Sequence, residues 1–207
     1  EQVTEMFDTI SNEYDGLNRV ISFGIDLRWR KKVIQWVASF SPDAVLDIAT
    51  GTGDLAVALC KTSATKIVGL DISPGMLAVG KQKVKQHNAE NRVTMILGDG
   101  EKLPFEDAHF DAVTIAFGVR NFENLDQGLS EVYRVLKKNG ALVVLETSVP
   151  THPIYKMGYF IHTRLLLPLI GRVFPKHKVA YSYLSESAAT FPFATAFHNI
   201  LPKNRVT

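Results

Sequence analysis

The sequence of 207 residues predicts an α/β fold of the doubly wound type with a mostly parallel sheet. Between residues 44 and 147, short runs rich in Val, Ile and Leu alternate with longer runs whose apolar residues recur at helical spacing. The short runs are nearly continuous in apolar residues, as expected for strands that helices cover on both faces. The first short run leads into a turn with two closely spaced glycines, which is typical of the ligand-binding edge of such sheets.

Strands and connecting helices follow from this pattern in order along the chain. The strands are predicted at residues 44–48, 66–70, 93–97, 110–116 and 141–146. Helices are predicted from about residue 55, from Ser73 to about residue 87, and over residues 125–138. Ser73 is an N-cap residue with proline at the next position, and Asn139-Gly140 favours a C-terminal stop. Residues 1–40 and 150–200 are predicted to be mainly helical and to pack over the carboxyl edge of the sheet.

Composition and charge narrow the classes of function. A chain with 46% hydrophobic and 21% charged residues is expected to form a globular body. Its 23 basic and 21 acidic side chains are too evenly balanced for the electrostatic footprint of nucleic-acid binding, so no nucleic-acid partner is expected. Cys60 is the only cysteine in the sequence, which fits a reducing intracellular compartment. The six histidines do not pair at the spacing of a metal site, and no metal is expected.

The glycine turn after the first strand is the strongest local signal for a ligand. Gly51 and Gly53 allow a close approach of the backbone to a bound molecule. The pattern Gly51-x-Gly53-x-x-Ala56 also satisfies a dinucleotide fingerprint. The turn alone therefore leaves both a nicotinamide cofactor and S-adenosylmethionine open.

Carboxylates at the ends of three successive strands favour S-adenosylmethionine. Asp71 ends the second strand, where it can accept hydrogen bonds from both ribose hydroxyls, and Asp99 closes the third, where it can accept from an adenine amino group. Asp47 precedes the glycine turn and could compensate a positive amino group, directly or by orienting the loop. Each acid could instead be a helix cap or a solvated loop residue. The carboxyl ends of parallel strands converge on one crevice, however, and this favours a shared site.

Short motifs spread over most of the chain point to a known family. In chain order they are Met6-Phe7-Asp8-x5-Tyr14-Asp15-x2-Asn18, Ser22-Phe23-Gly24-Ile25, Trp29-Arg30, the glycine loop Asp47-Ile48-Ala49-Thr50-Gly51-Thr52-Gly53-Asp54, Gly100-Glu101-Lys102-Leu103-Pro104-Phe105, Phe110-Asp111, Phe117-Gly118-Val119-Arg120-Asn121, Tyr133-Arg134-Val135-Leu136-Lys137, Leu145-Glu146 and Tyr181-x-Tyr183-Leu184-x-Glu186-Ser187. Together they resemble the ubiquinone/menaquinone biosynthesis C-methyltransferases, and among these the demethylmenaquinone methyltransferases. The Phe-Gly-x-Arg-Asn run is the most particular motif, and Ala49 stands where many other methyltransferases carry glycine.

The resemblance implies an enzyme with a Rossmann-like, class I S-adenosylmethionine-dependent methyltransferase fold. The implied cofactor is S-adenosyl-L-methionine, and the implied reaction methylates the ring of a prenylated quinol, demethylmenaquinol to menaquinol, in menaquinone biosynthesis. The predicted cofactor-binding residues are Asp47, Ala49, Gly51, Thr52, Gly53, Asp71, Ile72, Met76, Asp99 and Gly100.

Two departures from the family pattern alter these expectations. Ala116 stands where some relatives place a serine that touches the cofactor, so that contact is not expected here. The chain stops at Thr207, where the family would continue into a final pair of strands, so the sheet is expected to lack that pair. A single methyltransferase domain is predicted over 1–207, with a helical lid at 1–40, a cofactor-binding core at 41–148 and a mostly helical substrate-side region at 149–207.

Four residues are predicted to serve catalysis. Arg120 and Asn121 follow the fourth strand on the same edge as the glycine loop, where they could stabilise a quinol oxyanion. Arg120 could instead form a salt bridge that holds the loop, and Asn121 could cap the following helix. Tyr14 and Asp15 lie on the amino-terminal segment, which could fold over the cofactor and help to deprotonate the substrate. Packing and capping of helices are the alternative for this pair.

Other functions and partners stay open at this point. The chain could methylate a soluble small molecule, act as an NAD-dependent oxidoreductase, or bind a cofactor without catalysis. The apolar segment 155–174 could line a groove for a prenyl tail, touch a bilayer surface or pack in the core, and its basic residues argue against a membrane span. The expected location is cytoplasmic, with a peripheral contact at the inner face of the membrane and a homodimer as open possibilities.

Overall fold

The computed structural model describes residues 2–147 together with His152, Met157 and Phe160. The chain divides into two compact units, residues 1–146 and residues 147–207. Most of the second unit lies outside the described residues, and so do the predictions for the helical region at 149–207 and the motif at 181–187. The prediction of a single domain therefore stays a prediction.

A parallel sheet of five strands forms the centre of the first unit, in the order β3-β2-β1-β4-β5. The strands are β1 Ala44–Ile48, β2 Lys66–Asp71, β3 Val93–Leu97, β4 Phe110–Ala116 and β5 Leu136–Leu145. The strand order reverses at β1, since β2 lies on one side of it and β4 on the other. Such a switch point opens a crevice at the carboxyl ends of the strands, which is where ligands bind in this architecture. The predicted fold class is confirmed.

Six α-helices accompany the sheet in the described part of the chain. They are α1 Gln2–Ile10, α2 Tyr14–Ser22, α3 Ile25–Ser39, α4 Asp54–Ala58, α5 Pro74–Gln86 and α6 Leu125–Val135. The predicted start of α5 is confirmed, because Ser73 is its N-cap and its side-chain oxygen accepts from the backbone N–H of Met76 at 3.1 Å. The prediction of a helical amino-terminal segment is also confirmed over the described residues 2–40.

The boundary between α6 and β5 differs from the prediction. The helix was expected to run over 125–138 and the strand over 141–146, but α6 ends at Val135 and β5 already begins at Leu136. Leu136 pairs with Phe110, and the pairing then shifts register before Ala141 pairs with Ala112. Asn139, with φ +67°, lies inside this irregularity. The Asn-Gly signal therefore marks an irregular stretch of β5, in which residues 137–140 lie opposite Asp111 alone, and not the end of a helix.

The core lies where helices cover the sheet. All five residues of β1 are buried, and Val33 and Val37 of α3 belong to the same apolar cluster as Val45. Met95 of β3 fills a narrow slot on this core: a Cβ atom at Gly80 would lie 2.4 Å from its Cε atom, and one at Gly69 would lie 2.8 Å from its Sδ atom. With Met95 in this position, α5 packs against the sheet at two places, residues 69 and 80, where a side chain would displace the end of Met95.

In the part of the chain that the structure describes, no helix has the length and apolar character needed to cross a membrane. Within the same residues, no three His, Cys, Asp or Glu side chains come together as a metal site. Except for Met157 and Phe160, the apolar segment 155–174 lies outside the described residues.

Candidate cofactor and substrate pocket

A cavity of about 540 Å³ opens at the carboxyl edge of the sheet. The turns that follow β1, β2, β3 and β4 all contribute to its lining, and Thr4, Phe7 and Tyr14 of the amino-terminal helices line it as well. This volume lies within the usual range of small-molecule sites, roughly 300–1,000 Å³. The cavity therefore occupies the position that the switch in strand order predicts for a ligand.

Two of the three predicted strand-end acids line this cavity. Asp71 is largely buried, and its Oδ2 atom accepts from the backbone N–H of Gly51 at 2.7 Å while Oδ1 accepts from that of Ser73 at 2.9 Å. Asp99 accepts from the backbone N–H of Glu101 at 2.9 Å. Since a carboxylate has about four acceptor sites, both acids can also accept from a ligand. Burial raises the pKa of Asp71, and the backbone donors oppose this increase.

The third acid, Asp47, lies behind the glycine turn and does not line the cavity. Its side chain is buried, with 1% relative exposure. Oδ2 accepts from the hydroxyl of Thr50 and Oδ1 from the hydroxyl of Thr114, both at 2.6 Å. Burial raises the pKa of Asp47 from an ordinary value of 3.8 to about 6, although the two hydroxyl donors oppose this. Of the two roles that the sequence left open for Asp47, these contacts favour orientation of the loop.

The glycine turn uses left-handed backbone conformations at alternate positions. Ala49 has φ +52°, Gly51 φ +58° and Gly53 φ +77°. A side chain is disfavoured in this region, and of these three residues only Ala49 carries a Cβ atom. A Cβ atom at Gly51 would lie 3.9 Å from Cε1 of Tyr14, so the tyrosine ring stands over the turn.

The turn after β4 packs directly on the glycine turn. A Cβ atom at Gly118 would lie 2.3 Å from the Cβ atom of Ala49, far inside van der Waals contact. The next nearest atoms, Cγ2 of Ile115 and the Cα of Ala49, would lie at 3.6 and 3.7 Å. The methyl group of Ala49 therefore fills the space beside Gly118, and both residues line the cavity.

Seven of the ten predicted cofactor residues come together in the cavity lining. These are Ala49, Gly51, Asp71, Ile72, Met76, Asp99 and Gly100. Asp47, Thr52 and Gly53 do not line it. The hydroxyl of Thr52 instead donates to Asp15 Oδ1 at 2.6 Å, and Gly53 is the residue that precedes α4.

The two predicted catalytic residues of the amino-terminal segment face different surroundings. Tyr14 lines the cavity and makes an edge-to-face contact with Phe7, with ring centroids 6.0 Å apart. Burial raises the pKa of the Tyr14 phenol, while a hydrogen bond with Asn18 and the nearby charges of Arg120 and Arg30 oppose the increase. Asp15 does not line the cavity. It bonds to Thr52 and forms an ion pair with Lys83, and these contacts favour the packing alternative.

The two predicted catalytic residues after β4, Arg120 and Asn121, also face different surroundings. Asn121 lines the cavity at the end of the short 3-10 turn Val119–Asn121. It does not cap the next helix, because Asn124 accepts from the backbone N–H of Gln127 at 3.1 Å and is the N-cap. Arg120 forms a buried ion pair with Glu146, with 4% and 9% of the two side chains exposed. The loop-holding salt bridge is thus present, and the guanidinium charge also acts on Tyr14.

The sequence did not predict the aromatic residues of the lining, nor the role of Glu101, whose carboxylate binds the turn after β4. Phe7, Phe117 and Phe122 line the cavity. The two carboxylate oxygens of Glu101 accept from the backbone N–H groups of Glu123 and Asn124, at 2.6 and 2.9 Å. Phe7, Phe117 and Glu101 stand inside the motifs quoted from the sequence, which offered a signal, whereas no motif contains Phe122.

The lining offers two chemically different surfaces. Asp71 and Asp99 accept hydrogen bonds, and the turns at Gly51 and Gly100 bring backbone close to a ligand, which suits an adenosine group. A Cβ atom at Gly100 would lie 2.9 Å from Cγ2 of Ile48, so this turn has no room for a side chain. The aromatic residues with Tyr14 suit a planar, mainly apolar ring. The residues present therefore fit an adenosyl cofactor beside a ring-shaped substrate.

Comparisons with known proteins agree with this geometry. The family model described as "ubiE/COQ5 methyltransferase family" matches residues 1–206. Demethylmenaquinone methyltransferase of Bacteroides fragilis is 43% identical over 204 residues, which cover 98% of this chain and 83% of the relative. The ubiquinone/menaquinone biosynthesis C-methyltransferase UbiE of Geotalea daltonii is 44% identical over 199 residues, covering 95% and 84%.

The fold is shared with solved methyltransferase structures. The crystal structure of an S-adenosylmethionine-dependent methyltransferase from Aquifex aeolicus matches with a TM-score of 0.52 at 23% identity, covering 60% of this chain and 66% of that one. This likeness shows the class I, Rossmann-like fold alone. The family model and the near-complete overlap with both sequence relatives carry the assignment further. The chain belongs to the ubiE/COQ5 methyltransferase family.

Proposed function

We propose that the chain is an S-adenosylmethionine-dependent C-methyltransferase that methylates the ring of a prenylated quinol, converting demethylmenaquinol to menaquinol. The observation that carries this proposal is one cavity lined both by strand-end acids with a glycine turn and by an aromatic wall with Tyr14 and Asn121. The name of the Bacteroides fragilis relative supports the quinol as substrate. A soluble small molecule as methyl acceptor is the second candidate, and an NAD-dependent oxidoreductase the third.

The acids and glycines of the turns account for cofactor binding. Asp71 would accept from the ribose hydroxyls and Asp99 from the adenine amino group, while Gly51 and Gly100 would let the backbone approach the cofactor closely. Asp47 adds a buried negative charge behind the turn. When bound, S-adenosylmethionine supplies a methyl group made electrophilic by its sulfonium.

The other side of the cavity accounts for alignment of the ring. Phe7 and Phe117 hold the ring plane, because aromatic faces pack well against each other. These residues would shield a bound ring from water and orient it beside the cofactor, and orientation of this kind can lower a barrier by several kcal/mol.

Tyr14 and Asn121 are positioned to stabilise the negative charge that forms on the quinol oxygen. A quinol carbon becomes nucleophilic when the neighbouring hydroxyl gives its proton to water. After that carbon takes the methyl group, it loses its own hydrogen as a proton and the oxygen is protonated again, so one proton is released overall. A tyrosine phenol is protonated at neutral pH, and burial raises the pKa of Tyr14 further, so Tyr14 can donate a hydrogen bond to that oxygen. Arg120 supports this from behind the wall, through its positive charge near Tyr14.

Exposed apolar side chains support a peripheral contact with the inner face of the cytoplasmic membrane. Phe23 is 69% exposed, Trp36 58% and Phe40 56%, all in or next to α3. A prenylated quinol resides in the bilayer, so a contact of this kind would bring the enzyme to its substrate. Cosedimentation with anionic vesicles tests it: Trp36→Ser should reduce the bound fraction, and equal binding by wild type and variant contradicts this role of the helix.

The proposed function is tested with two measurements on the purified protein. Calorimetry should detect S-adenosylmethionine and S-adenosylhomocysteine but no NADH. Incubation with demethylmenaquinol and methyl-labelled cofactor should then give a labelled product heavier than the substrate by one methyl group in place of hydrogen. Tight binding of NADH alone refutes the methyltransferase assignment. Binding of the cofactor with methylation only of soluble phenols refutes the prenylated substrate.

A further inference from the structure

Lys83 of α5 lies outside the sequence motifs. Its ammonium group contacts residues of two other helices, α2 and α4. Its ammonium group forms ion pairs with Asp15 of α2 and with Asp54, the first residue of α4. It also donates to the hydroxyl oxygen of Thr52 at 2.9 Å, and that hydroxyl in turn donates to Asp15 at 2.6 Å. The side chains of Lys83, Asp15 and Asp54 are 17%, 22% and 19% exposed. We call these four residues the Lys83 cluster.

The Lys83 cluster lies directly behind two residues that meet in the cavity. Asp15 follows Tyr14 in the sequence, and Thr52 follows Gly51. Tyr14 and Gly51 both line the cavity, with Cε1 of the tyrosine 3.9 Å from the position of a Cβ atom on the glycine. A bond between Asp15 and Thr52 therefore fixes the position of the tyrosine ring over the glycine turn.

A second, independent contact ties the amino-terminal segment to the same helix. Oδ1 of Asp8, on α1, accepts from the hydroxyl of Ser73 and from the backbone N–H of Gly75 at 2.8 Å. Both donors belong to the start of α5, whereas Lys83 lies further along it. Helix α5 thus holds α1 at the first turn of α5 and α2 at the last turn, where Lys83 lies. Lys83 adds to the contacts of Tyr14 with Phe7 and Asn18 that position the tyrosine.

The cluster contains one positive charge and two negative charges, so the loss of Lys83 differs in effect from the loss of either aspartate. One ammonium group holds two carboxylates in a half-buried place. Removing Lys83 leaves Asp15 and Asp54 as like charges on adjoining elements, whereas removing the charge of Asp15 leaves the pair of Lys83 and Asp54 intact. Loss of Lys83 should therefore release α2 more than loss of the Asp15 charge.

We propose that Lys83 is a positioning residue that clamps Asp15 to the glycine turn and thereby holds Tyr14 over the cavity. The clamp deepens the proposed function, and its effect on methyl transfer rests on that function. Its effect on the amino-terminal helix does not, so the two can fail separately. The clamp also gives Asp15 a role without direct contact with the substrate.

Hydrogen exchange and kinetics on the full chain test the clamp. In Lys83→Met, amides of residues 14–22 should exchange about tenfold faster while those of β1 and β2 keep wild-type rates. The turnover number should fall by about the same factor, with a smaller change in the KM for S-adenosylmethionine, since the tyrosine acts on the ring and not on the cofactor. Lys83→Arg should restore most of both.

Matched variants separate the clamp from a general loss of stability. Lys85→Met removes an exposed lysine of the same helix and should match wild type in exchange and turnover. Asp15→Asn should have a smaller effect than Lys83→Met, and adding Asp15→Asn to Lys83→Met should recover part of the loss, because the like charges are then gone.

The outcomes separate the Lys83 clamp from the proposed function. Wild-type exchange of residues 14–22 in Lys83→Met overturns the clamp, and so does faster exchange spread evenly over the sheet. Faster exchange confined to residues 14–22, in a protein that transfers no methyl group even as wild type, supports the clamp and overturns the proposed function. If Lys83→Met does not fold, the comparison of Asp15→Asn with Lys85→Met decides the question in the same way.

Discussion

Asp47→Asn should make the protein more stable and its cofactor binding weaker. Folding raises the pKa of Asp47 from 3.8 to about 6, because the side chain is buried and its two hydroxyl donors compensate only part of the lost hydration. An asparagine of nearly the same shape can accept from one hydroxyl, of Thr50 or Thr114, and donate to the other. The substitution thus removes a buried charge and keeps the hydrogen-bonding capacity of the site.

The sign and size of the effect follow from this pKa shift. The folded state binds the Asp47 proton more tightly than the unfolded chain, so the residue costs stability once the pH rises above 3.8, and the cost levels off above about 6. A shift of about two units corresponds to about 3 kcal/mol at pH 7 and to roughly half of that at pH 5. Asp47→Asn should therefore raise the free energy of unfolding by up to about 3 kcal/mol at pH 7, with a gain that shrinks as the pH falls.

Urea denaturation of wild type and variant between pH 4.5 and 8 measures this gain. Asp43→Asn is the control, because Asp43 is exposed at the entrance to β1 and also accepts from a threonine hydroxyl, that of Thr65 at 2.6 Å. Its change in stability gives the baseline for replacing an exposed aspartate by asparagine. A variant at position 47 that is less stable than wild type at pH 7, or a difference that is constant over the pH range, refutes the assignment of a buried, costly carboxylate. Calorimetry on the same samples should show weaker binding of S-adenosylmethionine.

Three further substitutions test other parts of the pocket. Asp71→Ala should abolish binding of S-adenosylmethionine in calorimetry, and binding at wild-type affinity would remove the carboxylate from the cofactor site. Arg120→Ala should leave that binding nearly intact and slow methyl transfer at least tenfold, and unchanged turnover would exclude Arg120 from the mechanism. It should also cost about 3–5 kcal/mol of stability, measured in urea, because Glu146 loses its buried partner. Gly118→Ala should lose activity because its new methyl group clashes with Ala49. The double change Ala49→Gly, Gly118→Ala should recover activity, since the nearest remaining atoms lie 3.6 Å or more away. Equal activity of the single and the double variant would contradict the clash.

The strands of the sheet could be predicted because a strand that is buried on both faces has a nearly continuous run of apolar residues. Every residue of β1 is buried, and its run of apolar side chains gave its bounds correctly. The end of α6 could not be predicted in the same way. Asn139-Gly140 suits a helix stop and an irregular stretch of strand equally well, and only the pairing of Leu136 with Phe110 of the neighbouring strand decides for the strand.

The same distinction between local and long-range information applies to the site. Asp71 and Asp99 were expected near a ligand because the carboxyl ends of parallel strands meet at one edge, and both line the cavity. The surroundings of Asp47 depend on β4, which pairs Asp47 with Thr114, a residue 67 positions away. The Lys83 cluster likewise forms only when α2, α4 and α5 come together. No local pattern records such contacts.

A buried carboxylate and a buried guanidinium lie behind the residues that line the cavity. Because of this arrangement, we expect binding of the cofactor to be coupled to the release of protons. Asp47 and Arg120 are buried beside the lining without being part of it, so each acts through the field and through the loop that it holds. With a pKa of about 6 in the free protein, Asp47 carries a proton in a considerable fraction of molecules at mildly acidic pH. A cation bound in front of the glycine turn favours the ionised carboxylate and lowers that pKa. Binding of S-adenosylmethionine at pH 6 should therefore release a fraction of a proton, which calorimetry in buffers of different ionisation enthalpy detects, and Asp47→Asn should reduce the release.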